Sequence, residues 1–287
     1  MIHYLIDTSW FLYRGHFACA SIWNEYPELH YLIKKLESIL SSRADCDIYL
    51  CIDGYSVKGR RLLGESYKAD RNINKNNSYN VYIGLSSFIK LLNNKRIHVY
   101  YNSNYESDEI IYTLSKTLDG RKKILSGDKD LLQSLDKDTV IESFKGLITT
   151  EVSYKYEYAD TFFEIEPNKL PIFRAIVGDV SDSLKPPVAR FPRKLAAKIV
   201  KSLEYDGNCP TIVQLRSVSK DFIANEKKWV DKLIESYKLF SINFDIMKLN
   251  IIDDDLITNI NDEYYSKYQL VEFSDFLKSK IERLNTL

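Results

Sequence analysis

The sequence predicts an α/β protein with a mostly parallel central sheet flanked by helices, followed by a C-terminal helical domain. Three observations carry this. Short β-branched or aromatic runs alternate with longer helical patterns through the first half of the chain, as in βαβ units. Strand signals fade after about residue 165. Expected strands end at or near an acid, Asp7, Asp53 or Asp128, and open parallel sheets gather ligands at the carboxyl ends of their strands. In chain order, strands are expected at 2–6 (IHYLI), 48–52 (IYLCI), 97–101 (IHVYY), 123–126 (KILS) and 139–143 (TVIES). Between them, 28–40 places apolar residues at 29, 32, 33, 36, 39 and 40, and 108–118 places Ile110, Ile111, Leu114 and Leu118 on one helical face. Residues 54–80 break the pattern with a basic, glycine- and asparagine-rich insert, a length usually kept for function. Helices are expected at 168–178, 192–204 and 220–240, and the acidic stretch 250–265 is assigned only to the surface. The implied division is a core over 1–165 and a helical domain over 166–287.

Bulk properties exclude several classes. The 287 residues, 45% hydrophobic and 28% charged, are ordinary for a globular chain. An acid follows the first six residues, and no apolar run approaches the ~18 residues that span a bilayer, so neither secretion nor a membrane partner is expected. Four cysteines without CxxC spacing fit reduced thiols in the cytoplasm better than a disulfide framework or zinc site. Four histidines without ligand spacing give histidine catalysis no support. The zero net charge argues against nucleic acid, unless acids are sequestered: with nine carboxylates held around metal ions, 31 acids face 40 bases and a basic face survives.

The carboxylates carry the chemistry. Singly, each has a bland role: Asp7 and Asp53 as turn caps, Glu106, Asp108 and Glu109 at a helix start where the macrodipole favours negative charge, and Asp179 and Asp182 in a solvated turn after a helix. Jointly, five segments bring Asp7; Asp53; Glu106, Asp108 and Glu109; Asp128 and Asp130; and Asp179 and Asp182 to one rim. Like charges at close range raise one another's pKa and oppose folding. A cation relieves this, and Mg2+, with Mn2+ as substitute, suits oxygen ligands and retained waters. Two ions about 4 Å apart would clamp the attacking and leaving oxygens of a phosphodiester.

The segments LIDTSWFLYRGHFA, CIDGYSVKGRRLLGESYKADR, YESDEIIYTLSK, ILSGDKDLLQSL and FRAIVGDVSDSL resemble, in order and spacing, the motifs of the 5′ nuclease superfamily: bacteriophage flap endonucleases and the 5′ nuclease domain of bacterial DNA polymerase I. The resemblance covers roughly residues 4–200 and implies a PIN-like nuclease core. It assigns Asp7, Asp53, Glu106, Asp108 and Glu109 to one metal group, and Asp128, Asp130, Asp179 and Asp182 to the second. Glu109 departs from the aspartate usual there. Lys68 and Arg71 of YKADR would face the scissile phosphate, where cations stabilise growing charge. Lys58, Arg60 and Arg61 would form the base of an arch for a 5′ single strand. Tyr13, Arg14 and Tyr67 are further candidates for DNA contact, with a core role for the two tyrosines weighted slightly higher. The family's glycine-rich hairpin, which grips duplex phosphates with a bound K+, is replaced by SLKPPVARFPRKLAAKIV. Close backbone approach favours glycine, which argues against a K+-mediated grip. Arg190, Arg193, Lys194 and Lys198 would substitute side-chain charge, giving steeper salt dependence.

The function expected is a metal-dependent 5′ nuclease, cutting DNA flaps or 5′ ends and RNA primers of RNA–DNA hybrids. It would act as a monomer beside a replication polymerase, and the phage likeness extends the setting to a viral enzyme in a host cell. The alternative is a non-catalytic nucleic-acid-binding protein on the same fold, which decay should have stripped of some carboxylates. An aspartyl phosphatase would want a second aspartate two residues after Asp7, where Ser9 stands.

Overall fold

The computed structural model describes residues 1–23, 25–54, 81–143, 145–151, 154, 156–158, 161–180, 182–253, 258–259 and 270–287. The five expected strands form within a residue or two of their predicted bounds: β1 (Ile2–Asp7), β2 (Cys46–Ile52), β3 (Ile97–Tyr101), β4 (Arg121–Leu125) and β5 (Thr139–Glu142). Two short edge strands, β6 (Ile148–Thr149) and, late in the chain, β9 (Thr258–Asn259), complete a seven-stranded sheet in the order β6-β5-β4-β1-β2-β3-β9. The five inner strands are parallel and the two edge pairings antiparallel. Because the chain moves outward from β1 through β2 and β3, then returns to β4 on the other flank, the topology switches between β1 and β4. Ligand crevices open at that point, beyond the carboxyl ends of the strands.

Helices cover both faces, which is why the strands read as nearly continuous apolar runs. One face packs Tyr4, Ile6, Ile48, Leu50 and Ile52 against α1 (Thr8–Cys19), α2 (Pro27–Ser42) and α3 (Leu85–Leu91). The alternate residues Leu5, Tyr49, Cys51 and Ile124 meet Ile110, Ile111 and Leu114 of α4 (Ser107–Thr117) on the other face. A separate core gathers the hairpin β7 (Tyr156–Tyr158) and β8 (Thr161–Phe163) with α5 (Leu170–Val177), α6 (Arg193–Ser202), α7 (Ile212–Val218), α8 (Ala224–Glu235) and α9 (Tyr237–Met247).

Three expectations are corrected. The helix expected over 220–240 is two, because the backbone leaves helical geometry at Ser236 (φ −97°, ψ 21°), a step that no proline or glycine announces. The stretch assigned to the surface is partly interior: Ile252 is buried, its N–H donates to Thr113 Oγ1 at 2.9 Å, and Thr258 and Asn259 pair with β3. The chain after 166 is also not all one helical unit. The last helix, α10 (Asp275–Thr286), returns to the first core, burying Leu277, Ile281 and Leu284 against the α2 side of the sheet. Its sequence spaces these residues four and three apart, one stripe of a helix, and Asn94 Nδ2 anchors its end by donating to Leu284 O at 2.8 Å. Among the described residues no helix is long and apolar enough to cross a membrane.

Leu277→Ala is therefore expected to destabilise the N-terminal core by about 2–5 kcal/mol in urea unfolding, while Ser279→Ala on the exposed side of α10 changes it by less than about 0.5 kcal/mol.

Candidate active site

The site grows from four strand ends at the topological switch. Asp7 closes β1 and caps α1, its Oδ1 accepting the Trp10 N–H at 3.1 Å, so its bland role as a cap is real. It is not the whole role. Asp7 Oδ2 accepts the Ser126 hydroxyl from the end of β4 at 2.7 Å, and the Ser107 hydroxyl approaches Oδ1 at 3.4 Å. The backbone N–H of Ser107 in turn donates to Asp53 Oδ1, beyond β2, at 2.8 Å. Ser107 thus stitches Asp7 to Asp53 from the start of α4, and Ser126 ties Asp7 to the end of β4. Gly54 allows the last approach, since a Cβ there would lie 2.3 Å from the Asn102 carbonyl and 2.5 Å from that of Tyr105.

Glu106, the N-cap of α4, and Asp108 and Glu109 in its first turn are all buried. Glu109 reaches back so that its Oε2 accepts the Glu106 N–H at 3.2 Å, half of a capping box, which gives its extra methylene a local use. Asp128 Oδ1 accepts the Asp130 N–H at 2.9 Å, and the Asp128 N–H donates to Ser126 Oγ at 3.0 Å. The opening of the 3₁₀ turn Asp130–Ser134 is thereby fixed against the Asp7 group.

Asp179 and Asp182 arrive from the second core. Gly178 ends α5 at φ 76°, where an added Cβ would meet the Leu184 carbonyl at 2.7 Å. The chain then folds back, with Asp179 N–H donating to Leu184 O at 2.9 Å and Leu184 N–H to Asp179 O at 2.7 Å. At the centre lies a residue that sequence reasoning missed. Arg174, 3% exposed, donates from Nε to Asp179 Oδ2 at 3.0 Å, pairs through its terminal nitrogens with Asp130 and Asp179, and has Asp182 Oδ2 at 3.7 Å. Its signal in the sequence was a lone charge in the otherwise apolar LPIFRAIV. Ser107 and Ser126 were also missed, because hydroxyls beside acids carry little pattern of their own.

Electrostatics mark Asp7 as the strained acid. Burial, then repulsion from Asp53, pushes its carboxyl up to about 7, against hydrogen bonds from Trp10 and Ser126 that favour the anion; Asp128 adds a smaller push upward. The nearby Tyr82 phenol is likewise raised, by burial first and Asp53 second.

Among the described residues no group of three or more His, Cys, Asp or Glu side chains is arranged to hold a metal ion. The acids share a rim without closing on one point. The donor chemistry of the two groups then differs. Around Asp7 the donors are all hard oxygens with an unrelieved repulsion, which suits an ion that keeps its waters. The second group does not fit an ion as it stands, because the Arg174 guanidinium already occupies the space between Asp130, Asp179 and Asp182.

The remaining candidates divide. Tyr13 is 43% exposed, edge-on to Tyr82 with ring centroids 6.2 Å apart, and so is no core aromatic. Exposed Arg14 lies over the Trp10 ring at 5.9 Å. Arg190, Arg193 and Lys194 are exposed at and before the start of α6. Lys198 is exposed too but engaged, pairing with Glu226 at 2.7 Å and sitting 4.3 Å over the Phe222 ring. Lys58, Arg60, Arg61, Tyr67, Lys68 and Arg71, with the rest of the insert from 55 to 80, lie outside the described residues.

The family model described as 5′-3′ exonuclease, N-terminal resolvase-like domain, matches residues 3–162. The chain belongs to the 5′-3′ exonuclease family. It is 26% identical over 298 residues to the 5′-3′ exonuclease of Mycoplasmopsis pulmonis (strain UAB CTIP), covering 96% of this chain and 94% of that one. It is 25% identical over 285 residues to DNA polymerase I of Caldicellulosiruptor bescii, covering 96% of this chain but only 33% of the polymerase. Among solved structures, the T5 D15 protein co-crystallized with metal ions superposes with a TM-score of 0.62 at 15% identity, covering 99% of this chain and 100% of that one. At that identity the likeness shows a shared fold. Family membership decides between the two functional readings: the chain is a nuclease, and the non-catalytic binding protein on the same fold is set aside.

For metal-free protein the raised Asp7 carboxyl fixes a pH dependence. The unfolded chain ionises Asp7 near 3.8 and the folded chain near 7. The folded state therefore holds the extra proton between those values, and stability from this group is full at low pH and falls as pH rises through 7. In EDTA, urea unfolding should show Asp7 contributing about 2 kcal/mol less at pH 8 than at pH 5.5. Asp7→Asn should flatten that part of the profile.

Proposed function

We propose that this nuclease hydrolyses phosphodiester bonds of DNA at 5′ flaps or 5′ ends with Mg2+, and that Mn2+ can substitute. The observation that carries the reading is the hydrogen-bonded meeting of Asp7 and Asp53 at the switch point, in a chain of the 5′-3′ exonuclease family. A bacteriophage T5 D15 flap endonuclease variant solved in a pseudo-enzyme-product complex with DNA and metal ions shares the fold at TM-score 0.62 and 14% identity, which supports flap DNA as the substrate class.

Asp7, Asp53, Glu106, Asp108, Glu109 and Asp128 would hold the ion, which supplies a water of lowered pKa and positive charge beside the scissile phosphate. The chain's own work is positional. Ser107 holds the Asp7 and Asp53 carboxylates in register and Ser126 fixes Asp7 to the end of β4, and ionisation of Asp7 on loading would release the proton that burial otherwise keeps on it. Lys68 and Arg71 neutralise the departing phosphate, and Lys58, Arg60, Arg61 and Tyr67 track the 5′ single strand. Arg190, Arg193 and Lys194, with Lys198 engaged by Glu226, meet duplex phosphates from the helical region of residues 166–253. The nuclease acts as a monomer in replication or primer removal beside a polymerase, and RNA–DNA hybrid is a second substrate.

The test is a 5′-labelled flap, a nicked duplex and an RNA-primed duplex, each incubated with Mg2+ and with EDTA, and the products mapped. Cleavage near the junction or 5′ end with Mg2+ and none with EDTA is the expected result; equal cleavage in EDTA would remove the metal from the reading. Lys68→Ala should lower kcat by roughly 10²–10³ while DNA affinity changes by less than about threefold, whereas equal losses would make Lys68 a binding residue only. Asp128→Asn should lower kcat with DNA binding retained.

A further inference from the structure

The two acid groups reach electrical balance differently, and the second does so with a residue of the chain itself. α5 is apolar apart from Arg174 and all its residues are buried. Its guanidinium draws together Asp130, from the turn after β4, and Asp179 and Asp182, from the hairpin after α5. Asp179 Oδ2 accepts from both Nε and a terminal nitrogen, one oxygen held by two adjacent donors in the rigid planar fork of a guanidinium, which an ammonium lacks. A divalent ion between the same carboxylates would need the oxygens that Arg174 now uses. It would also bring a second positive centre within a few ångströms of the first, where like charges repel strongly in a buried setting.

We infer that Arg174 is the resident cation of the second carboxylate group, so that a divalent ion reaches Asp130, Asp179 and Asp182 only by displacing its guanidinium. This rests on the proposed metal-dependent nuclease reading. The consequence is a hierarchy. The Asp7 group, where hydroxyl and backbone N–H donors hold Asp7 and Asp53 in place of a guanidinium, loads first. The second group stays closed at low metal because its counter-charge is covalently attached and needs no uptake from solution. The same contact spans the two cores, joining the turn after β4 to the end of α5. Loading of the second group would therefore release a tie between the sheet and the helical region.

Two measurements on the full chain test this. Mn2+ binding, followed by the loss of the free-ion paramagnetic resonance signal, should give the wild type one tight class and a second class at least tenfold weaker. Arg174→Gln should tighten the second class at least tenfold and lower the metal-free melting temperature, with Mn2+ restoring most of the loss. Arg174→Lys, which keeps the charge but not the fork, should fall between them and serves where the glutamine variant does not fold. In the wild type, the Arg174 Nε–H resonance should be protected from exchange without metal and should shift as Mg2+ fills the second class, not the first. An unshifted resonance at saturating Mg2+, or second-class binding unchanged in both variants, overturns the displacement. Failure of the parent reading looks different: no Mn2+ class is removed by Asp7→Asn, and cleavage persists in EDTA.

Discussion

The fold is organised around one electrostatic problem, the burial of mutually repelling carboxylates at the carboxyl ends of parallel strands. A parallel sheet with a switch point between β1 and β4 leaves a crevice there, and the sequence lines it with acids from five segments. Charge of that density is tolerated only when each member is protonated, hydrogen-bonded or countered. The structure uses all three. Asp7 takes a proton more readily than a free carboxylate does, Asp53 and Asp128 accept backbone N–H bonds, and Asp130 and Asp179 share a guanidinium. The serines matter because they are the neutral donors that let two acids sit close without a second basic side chain.

Most of the sheet was legible because its strands are short, β-branched and buried on both faces, and because the crossover helices α2 and α4 each carry one apolar stripe. What escaped was structure set by distant contacts. α10 has a clear stripe at Leu277, Ile281 and Leu284, yet nothing local says that the stripe belongs to the first core instead of the second. β9 is two residues long and exists only because Tyr100 and Tyr101 offer an edge. The break at Ser236 is equally silent, since helical periodicity continues on both sides of it.

The site was legible as a list of acids and illegible as a charge balance. Carboxylates recur in fixed spacings, so Asp7, Asp53, Asp128 and Asp179 announce themselves, whereas a lone arginine inside an apolar helix reads as an amphipathic accident. Arg174 is instead the group that its helix is built to bury. An unpaired guanidinium would not be left in a core, so its burial could have pointed to facing acids, although not to which ones. Reading buried charges as pairs with one missing partner recovers more of such a site than reading motifs alone.

The same logic orders the basic surface. A cation committed to a protein acid cannot also neutralise a phosphate without breaking that contact, so exposure alone does not rank the residues of α6. Lys198 is bound to Glu226 and lies on Phe222, and using it on DNA would cost both interactions. Arg190 and Lys194 stand at the turn and the first helical turn, which have no glycine to bring backbone amides close to a ligand. A grip built from such side chains is long-armed and solvated, and so more readily screened by salt than a set of buried amides. Where the backbone cannot approach a polyanion, reach replaces proximity, and what is lost is resistance to ionic strength before affinity at low salt.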